Sequence, residues 1–182
     1  LMWPETEQKL QGLIDEMTNR ASDYERLVQF GLRVHVIVRE TEKEARAYAN
    51  NLLSKLDLDL GKDIRKRAQD AASLGVARQA MLREEADNQH YVEPNLWTGI
   101  GLARSGCGAA IVGDPDQVLA KINRYMDMGI RSFIFSGYPH HQECELFAKY
   151  VLPHIKTVSL PEVFGRRPKK TPNSPLGNGF RK

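Results

Sequence analysis

At 182 residues, 41% hydrophobic and 27% charged, the chain is long enough to bury a core and is too apolar for a disordered segment. It has no apolar run near the ~20 residues of a membrane helix and no signal peptide, so a membrane protein is excluded and a cytoplasmic one expected. The net charge of +3 belongs to the tail: Arg166, Arg167, Lys169, Lys170, Arg181 and Lys182 lie in residues 165–182, and without them 20 basic face 23 acidic residues, a net of −3. A basic nucleic-acid surface is therefore not expected on the folded body. Cys107 and Cys144 fit neither a metal spacing nor a disulfide framework, so no metal is expected.

In chain order, Pro4 opens a helix with Leu10, Leu13, Ile14 and Met17 at helical spacing. Phe30 to Val38 reads as a strand rich in β-branched residues. Thr41 and Glu44 form a capping box before a helix whose stripe is Ala45, Ala49, Leu52, Leu53 and Leu56. Residues 109–113 read as a short buried strand. Asp114 is the cap of the next helix, Pro115 its first residue and Gln117 the box partner, with Gly129 as its stop. Ser132 to Ser136 is the following strand, and Pro139 starts a helix predicted to turn Cys144, Phe147, Ala148, Val151 and Leu152 inward.

Alternating strands and helices imply parallel βαβ units. Three strands cannot close a barrel and would leave apolar edges unpaired, so an incomplete α/β unit is expected, with further strands from elsewhere. The first residue, Leu1, fits that expectation of a partial chain. Residues 57–108 are long for a connection in such a fold, which suits a lid or binding insertion. A solvated helical excursion explains their charged first part, residues 61–87, equally well. The expected organisation is a body of residues 1–156 that includes this insertion, then an extended basic tail, 157–182, which is solvated or wraps a neighbouring subunit.

Strand alternation puts Arg33 and His35 on one face, opposite Leu32, Val34, Val36 and Val38. If the apolar face meets helices, Arg33 and His35 point into a barrel, near the strand's C-terminal end where barrel enzymes place their chemistry. A buried arginine needs an anion, either a protein carboxylate or a ligand. Tyr138 and His140 follow the 132–136 strand and read either as proton donors at the same rim or as part of a turn. Arg104, in a glycine-rich apolar stretch, is a further candidate anion ligand.

Four blocks carry a family resemblance: Phe30 to Thr41 (FGLRVHVIVRET), Asn95 to Ala109 (NLWTGIGLARSGCGA), Val112 to Pro115 (VGDP) and Phe133 to His140 (FIFSGYPH). In this order and spacing the chain resembles the FMNH2-dependent alkanesulfonate monooxygenases of the bacterial luciferase-like type. The resemblance implies the C-terminal half of a (β/α)8 TIM barrel, about strands six to eight with their helices and a mobile lid. It implies an enzyme that uses reduced FMN and O2 to convert an alkanesulfonate to an aldehyde and sulfite, served by a separate NAD(P)H-dependent flavin reductase and homo-oligomeric at full length. It implies active-site roles for Arg33, His35, Arg104 and Tyr138, with His140 beside them. Arg33 would hold the sulfonate or the flavin oxidant, Arg104 would close over the anions, and His35 and Tyr138 would orient groups or transfer protons. A sulfonate is a permanent anion, which suits the bidentate bonds of arginine.

Ser105 stands where the family's lid has a glycine, and the family's cysteine and most of its flavin contacts fall outside these residues, so the chain alone is expected to be inactive. The alternatives are a methanesulfonate or dimethylsulfone monooxygenase, a non-catalytic flavin-binding paralogue, and a free-standing interaction domain.

Overall fold

The computed structural model describes residues 1–57, 59–63, 73–103, 106, 108–158 and 165. Helix α1, Glu7–Ser22, begins at Thr6, whose hydroxyl accepts from the Lys9 amide. Strand β1, Phe30–Val38, has the predicted bounds. Helix α2, Glu42–Leu53, opens with the expected capping box of Thr41 and Glu44. Helix α3, Leu74–Glu84, leads to the short strands β2, Tyr91–Glu93, and β3, Leu96–Trp97, and the single turn α4, Ile100–Ala103. Strand β4, Ala110–Gly113, helix α5, Pro115–Asp127, strand β5, Ile130–Ser136, and helix α6, His140–Tyr150, complete the order before a 3-10 turn at Leu152–His154. The box of Asp114 and Gln117 is formed at α5, and Gly129 takes φ +100°, a value open to glycine, in the turn to β5.

Among the described residues the sheet order is β2-β3-β4-β1-β5. Strands β4 and β5 flank β1 in parallel, with His35 opposite Ala110 on one side and Ser136 on the other. Strand β3 adds antiparallel to β4, pairing Leu96 with Ile111 and Trp97 with Ala110. A barrel wall in chain order would put β4 in the middle, whereas here β1 is central. The physical reason is pairing: β1 is the longest strand, and a neighbour on each side satisfies its backbone groups. The chain steps from β1 to β4 in one direction and from β4 over β1 to β5 in the other. Two right-handed crossovers of opposite direction place their helices on opposite faces.

The two faces therefore both carry helices, which corrects the expectation that the Arg33 face is free of them. One core gathers Leu32, Val34, Val36, Val38 and Ile111 against Leu10 and Ile14 of α1 and Val118, Ile122 and Tyr125 of α5. The other places Ile37, Ala110 and Val112 against Ala45 and Ala49 of α2, with Tyr91, Trp97 and Ile100. Residues 91–100, expected within a mobile cover, are thus built into the sheet and its core. Asn95, at φ +63°, fixes their turn by exchanging bonds with Val112: its side-chain Nδ2 donates to the Val112 carbonyl (2.9 Å), and the Val112 N–H donates to the Asn95 backbone carbonyl (2.9 Å).

Four residues that the sequence reading turns inward are exposed: Met17, Cys144, Ala148 and Leu152. Met17 lies in the C-terminal part of α1, where residues 15–20 are all exposed. Cys144 is exposed because the inward stripe of α6 is Glu143, Phe147 and Val151, four residues apart, and the next residue after Glu143 is turned away from it.

Candidate active site

Strand β1 carries Arg33 and His35 on the same face as Ile37. His35 is 3% exposed, and its backbone is held in the sheet by its N–H to the Ala109 carbonyl (3.1 Å). Tyr138 stands two residues beyond Ser136, the β5 partner of His35, so it reaches the same face. The two rings lie parallel, 6.0 Å between centroids and 9° between planes. His140, exposed at the start of α6, meets the Tyr138 ring edge-on at 4.6 Å and 62°. The geometry thus brings together His35, Tyr138 and His140 at the C-terminal end of the central strands.

Arg33 lies one alternation earlier along β1. Its Nε is buried and has no hydrogen-bond partner among the described residues. Desolvating a donor without an acceptor costs about 1–3 kcal/mol, more when the group is charged. The atom is suited to an anionic acceptor brought by a ligand. Arg104 lies outside the described residues, as does nearly all of the 157–182 tail.

Sequence reasoning missed the groups that hold this rim. Arg39, immediately after β1, forms a two-armed ion pair with Glu143 of α6: Nη2 to Oε1 at 2.6 Å and Nη1 to Oε2 at 3.1 Å. The guanidinium also donates to the Val38 carbonyl (2.7 Å) and stacks on the Tyr48 ring of α2, 3.8 Å from its centroid. The Tyr48 hydroxyl donates to the carbonyl of Tyr138 (2.7 Å). Burial, and then the Glu143 charge, push the Tyr48 phenol above its ordinary value of 10, with Arg39 acting against them. Arg39 sits in the quoted block from Phe30 to Thr41, but only the fold shows that its partner lies 104 residues away.

A family model described as luciferase-like monooxygenase matches residues 1–132, most of the chain. The chain belongs to that family. Among the curated relatives of this luciferase-like chain, the sulfoquinovose monooxygenase of Agrobacterium fabrum is 58% identical over 181 residues, covering 100% of this chain and 47% of that protein. The sulfoquinovose monooxygenase of Novosphingobium aromaticivorans is 62% identical over 155 residues, covering 85% of this chain and 43% of its own length. The chain spans about half the length of the curated relatives it matches. The crystal structure of DmoA from Hyphomicrobium sulfonivorans superposes with a TM-score of 0.58 at 18% identity, over 95% of this chain and 39% of that one. The α/β fold expected of a luciferase-like barrel enzyme is thereby shown.

Among the described residues no helix is long and apolar enough to cross a membrane, and no cluster of three or more His, Cys, Asp or Glu could hold a metal.

Proposed function

We propose that this luciferase-like chain carries one wall of the active site of a two-component flavin monooxygenase that removes sulfite from an organosulfonate, with sulfoquinovose, a sulfonated sugar, as the first substrate to try. The observation that carries the reading is the Nε of Arg33, buried and without a partner among the described residues, on the face that also presents His35 and Tyr138. The names of the two sulfoquinovose monooxygenases support the substrate class, and alkanesulfonates stand second.

The available groups fit an anionic substrate and an anionic cofactor. Arg33 supplies charge-assisted N–H donors, and His35 and Tyr138 supply a ring nitrogen and a hydroxyl. Reduced FMN from an NAD(P)H-dependent reductase, when bound beside this wall, would supply the two electrons by which O2 yields water and the aldehyde oxygen while the C–S bond breaks and sulfite departs. Arg33 binds and orients the sulfonate oxygens. His35, buried and parallel to the Tyr138 ring, holds or passes a proton at a ring nitrogen, and Tyr138 does so at its hydroxyl. Exposed His140 holds the Tyr138 ring from its edge. Arg104, which lies outside the described residues, is proposed as a second arginine for the bound anions, the role that the family resemblance implies for it.

The test is sulfite release by the complete gene product with a flavin reductase, comparing sulfoquinovose, alkanesulfonates of graded length, methanesulfonate and dimethylsulfone. Sulfite from sulfoquinovose supports the reading. Sulfite only from alkanesulfonates moves the substrate, and none from any sulfonate overturns the substrate class. Arg33→Ala is expected to lower kcat/KM for the sulfonate by about 100-fold, the scale of a lost charge-assisted donor in a desolvated site.

A further inference from the structure

We propose that Arg39, Glu143 and Tyr48 are positioning residues that hold the backbone of Tyr138 so that its ring stays parallel to His35. The inference rests on the function proposed above for Tyr138 and adds residues that the family match and the four sequence blocks do not assign.

The cluster ties three elements to one point. Arg39 leaves the end of β1 and reaches α6 through both oxygens of Glu143. The same guanidinium lies flat on Tyr48 of α2, a geometry in which cation and ring attract. Tyr48 then spends its hydroxyl on the carbonyl of Tyr138, the residue whose ring faces His35. The helix closes the arrangement from below: the Glu143 N–H donates to the Pro139 carbonyl (3.1 Å), one residue past Tyr138. Gly137, one residue before it, packs so closely on Glu143 that an added Cβ would lie 2.3 Å from the Glu143 Cβ. Tyr138 is thus fixed by its own carbonyl and by both neighbours in sequence.

A bidentate ion pair with one member 3% exposed has few ways to shift, because each arm fixes distance and plane together. The raised Tyr48 phenol stays protonated at neutral pH and keeps donating. A pair that served stability alone could close the sheet end without touching the candidate site. This one ends on Tyr138.

The test uses the complete gene product with its reductase. Tyr48→Phe keeps the ring under Arg39 and removes only the donated hydrogen bond. The expected result is a kcat about tenfold lower with KM within about twofold, the pattern of a misplaced group rather than of lost substrate binding. The unfolding midpoint should stay within about 2 °C of the parent, and the imidazole proton resonances of His35 should move as the Tyr138 ring turns. Glu143→Gln should lower kcat as well, and the double variant should lose no more than the worse single, because one brace can be broken only once. Unchanged kcat and unchanged His35 resonances in Tyr48→Phe would overturn the proposal, as would strictly multiplicative losses in the double variant. If the parent releases no sulfite, the proposed function fails, and the His35 resonances alone then decide the brace.

Discussion

Among the described residues two buried charge clusters stand out, and their endpoints differ. The first joins α1, β2 and α5: Lys121, 1% exposed, bonds Glu7 (2.6 Å) and Glu93 (2.5 Å), Arg124 also bonds Glu7 (2.7 Å), and Glu93 accepts from the Glu7 N–H (3.0 Å). Its last bond caps the first turn of a helix. The second, Arg39 with Glu143 and Tyr48, ends on the carbonyl of a candidate active-site tyrosine. Both neutralise desolvated charge with well-placed partners. With the role proposed for Tyr138, the two clusters differ in what their last hydrogen bond holds rather than in their depth.

The largest effect that can break this comparison is expected from Lys121→Ala. Removing the cation leaves Glu7 and Glu93 facing each other, and loss of one member of a buried cluster costs about 3–5 kcal/mol. Urea unfolding should record that loss, while kcat per folded molecule of the complete enzyme should match the parent. A fall in kcat would erase the distinction from the Arg39 cluster.

A smaller effect of opposite sign is expected beside it. The Tyr125 hydroxyl is buried without a partner among the described residues, and burial pushes its ionisation well above the ordinary phenol, with Glu93 and Glu7 adding to the effect. Tyr125→Phe removes an unsatisfied polar atom and should stabilise by about 1 kcal/mol in the same urea assay. Destabilisation would mean that the hydroxyl has a role in the Lys121 cluster.

The smallest effect is pH-dependent. Burial raises the Glu7 carboxyl, but hydrogen bonds from Lys121 and Arg124 outweigh it and leave the group below its ordinary value of 4.5. A depressed carboxyl contributes stability that is complete above 4.5 and is lost as pH falls through its folded value. The urea midpoint of the parent should therefore fall more steeply below pH 4.5 than that of Glu7→Gln. Parallel curves would remove Glu7 from the cluster's energetics.

Most of the local structure was legible in the residues. Thr41 with Glu44 and Asp114 with Gln117 announce their helices because a cap is satisfied within four residues. The β1 bounds follow from an unbroken β-branched run. The placement of Arg33 and His35 on one face needed only the alternation of a strand, whereas bringing Tyr138 beside His35 took the pairing of β1 with β5, which the packed sheet decides. What was not legible involved choices between competing partners. Cys144 reads as an inward apolar residue on its helix, but Glu143 takes the inward stripe because Arg39 waits across the sheet end. Leu96, Trp97 and Ile100 read as part of a cover, and they became core because the free edge of β4 offers backbone partners.

By itself, then, the sequence determined the parallel βαβ character, the capped helix starts, and a family whose motif places an arginine and a histidine along one strand. The first two depend on spacing within a few residues, where covalent connection enforces the outcome, and the third on the resemblance carried by four separate blocks. The tertiary structure alone decided that β1 is central, that helices cover both faces, and that Arg39, Glu143 and Tyr48 converge on Tyr138. Each of those requires groups far apart in the chain to compete for the same hydrogen-bonding partners and buried surface, and that competition is settled only when the elements pack.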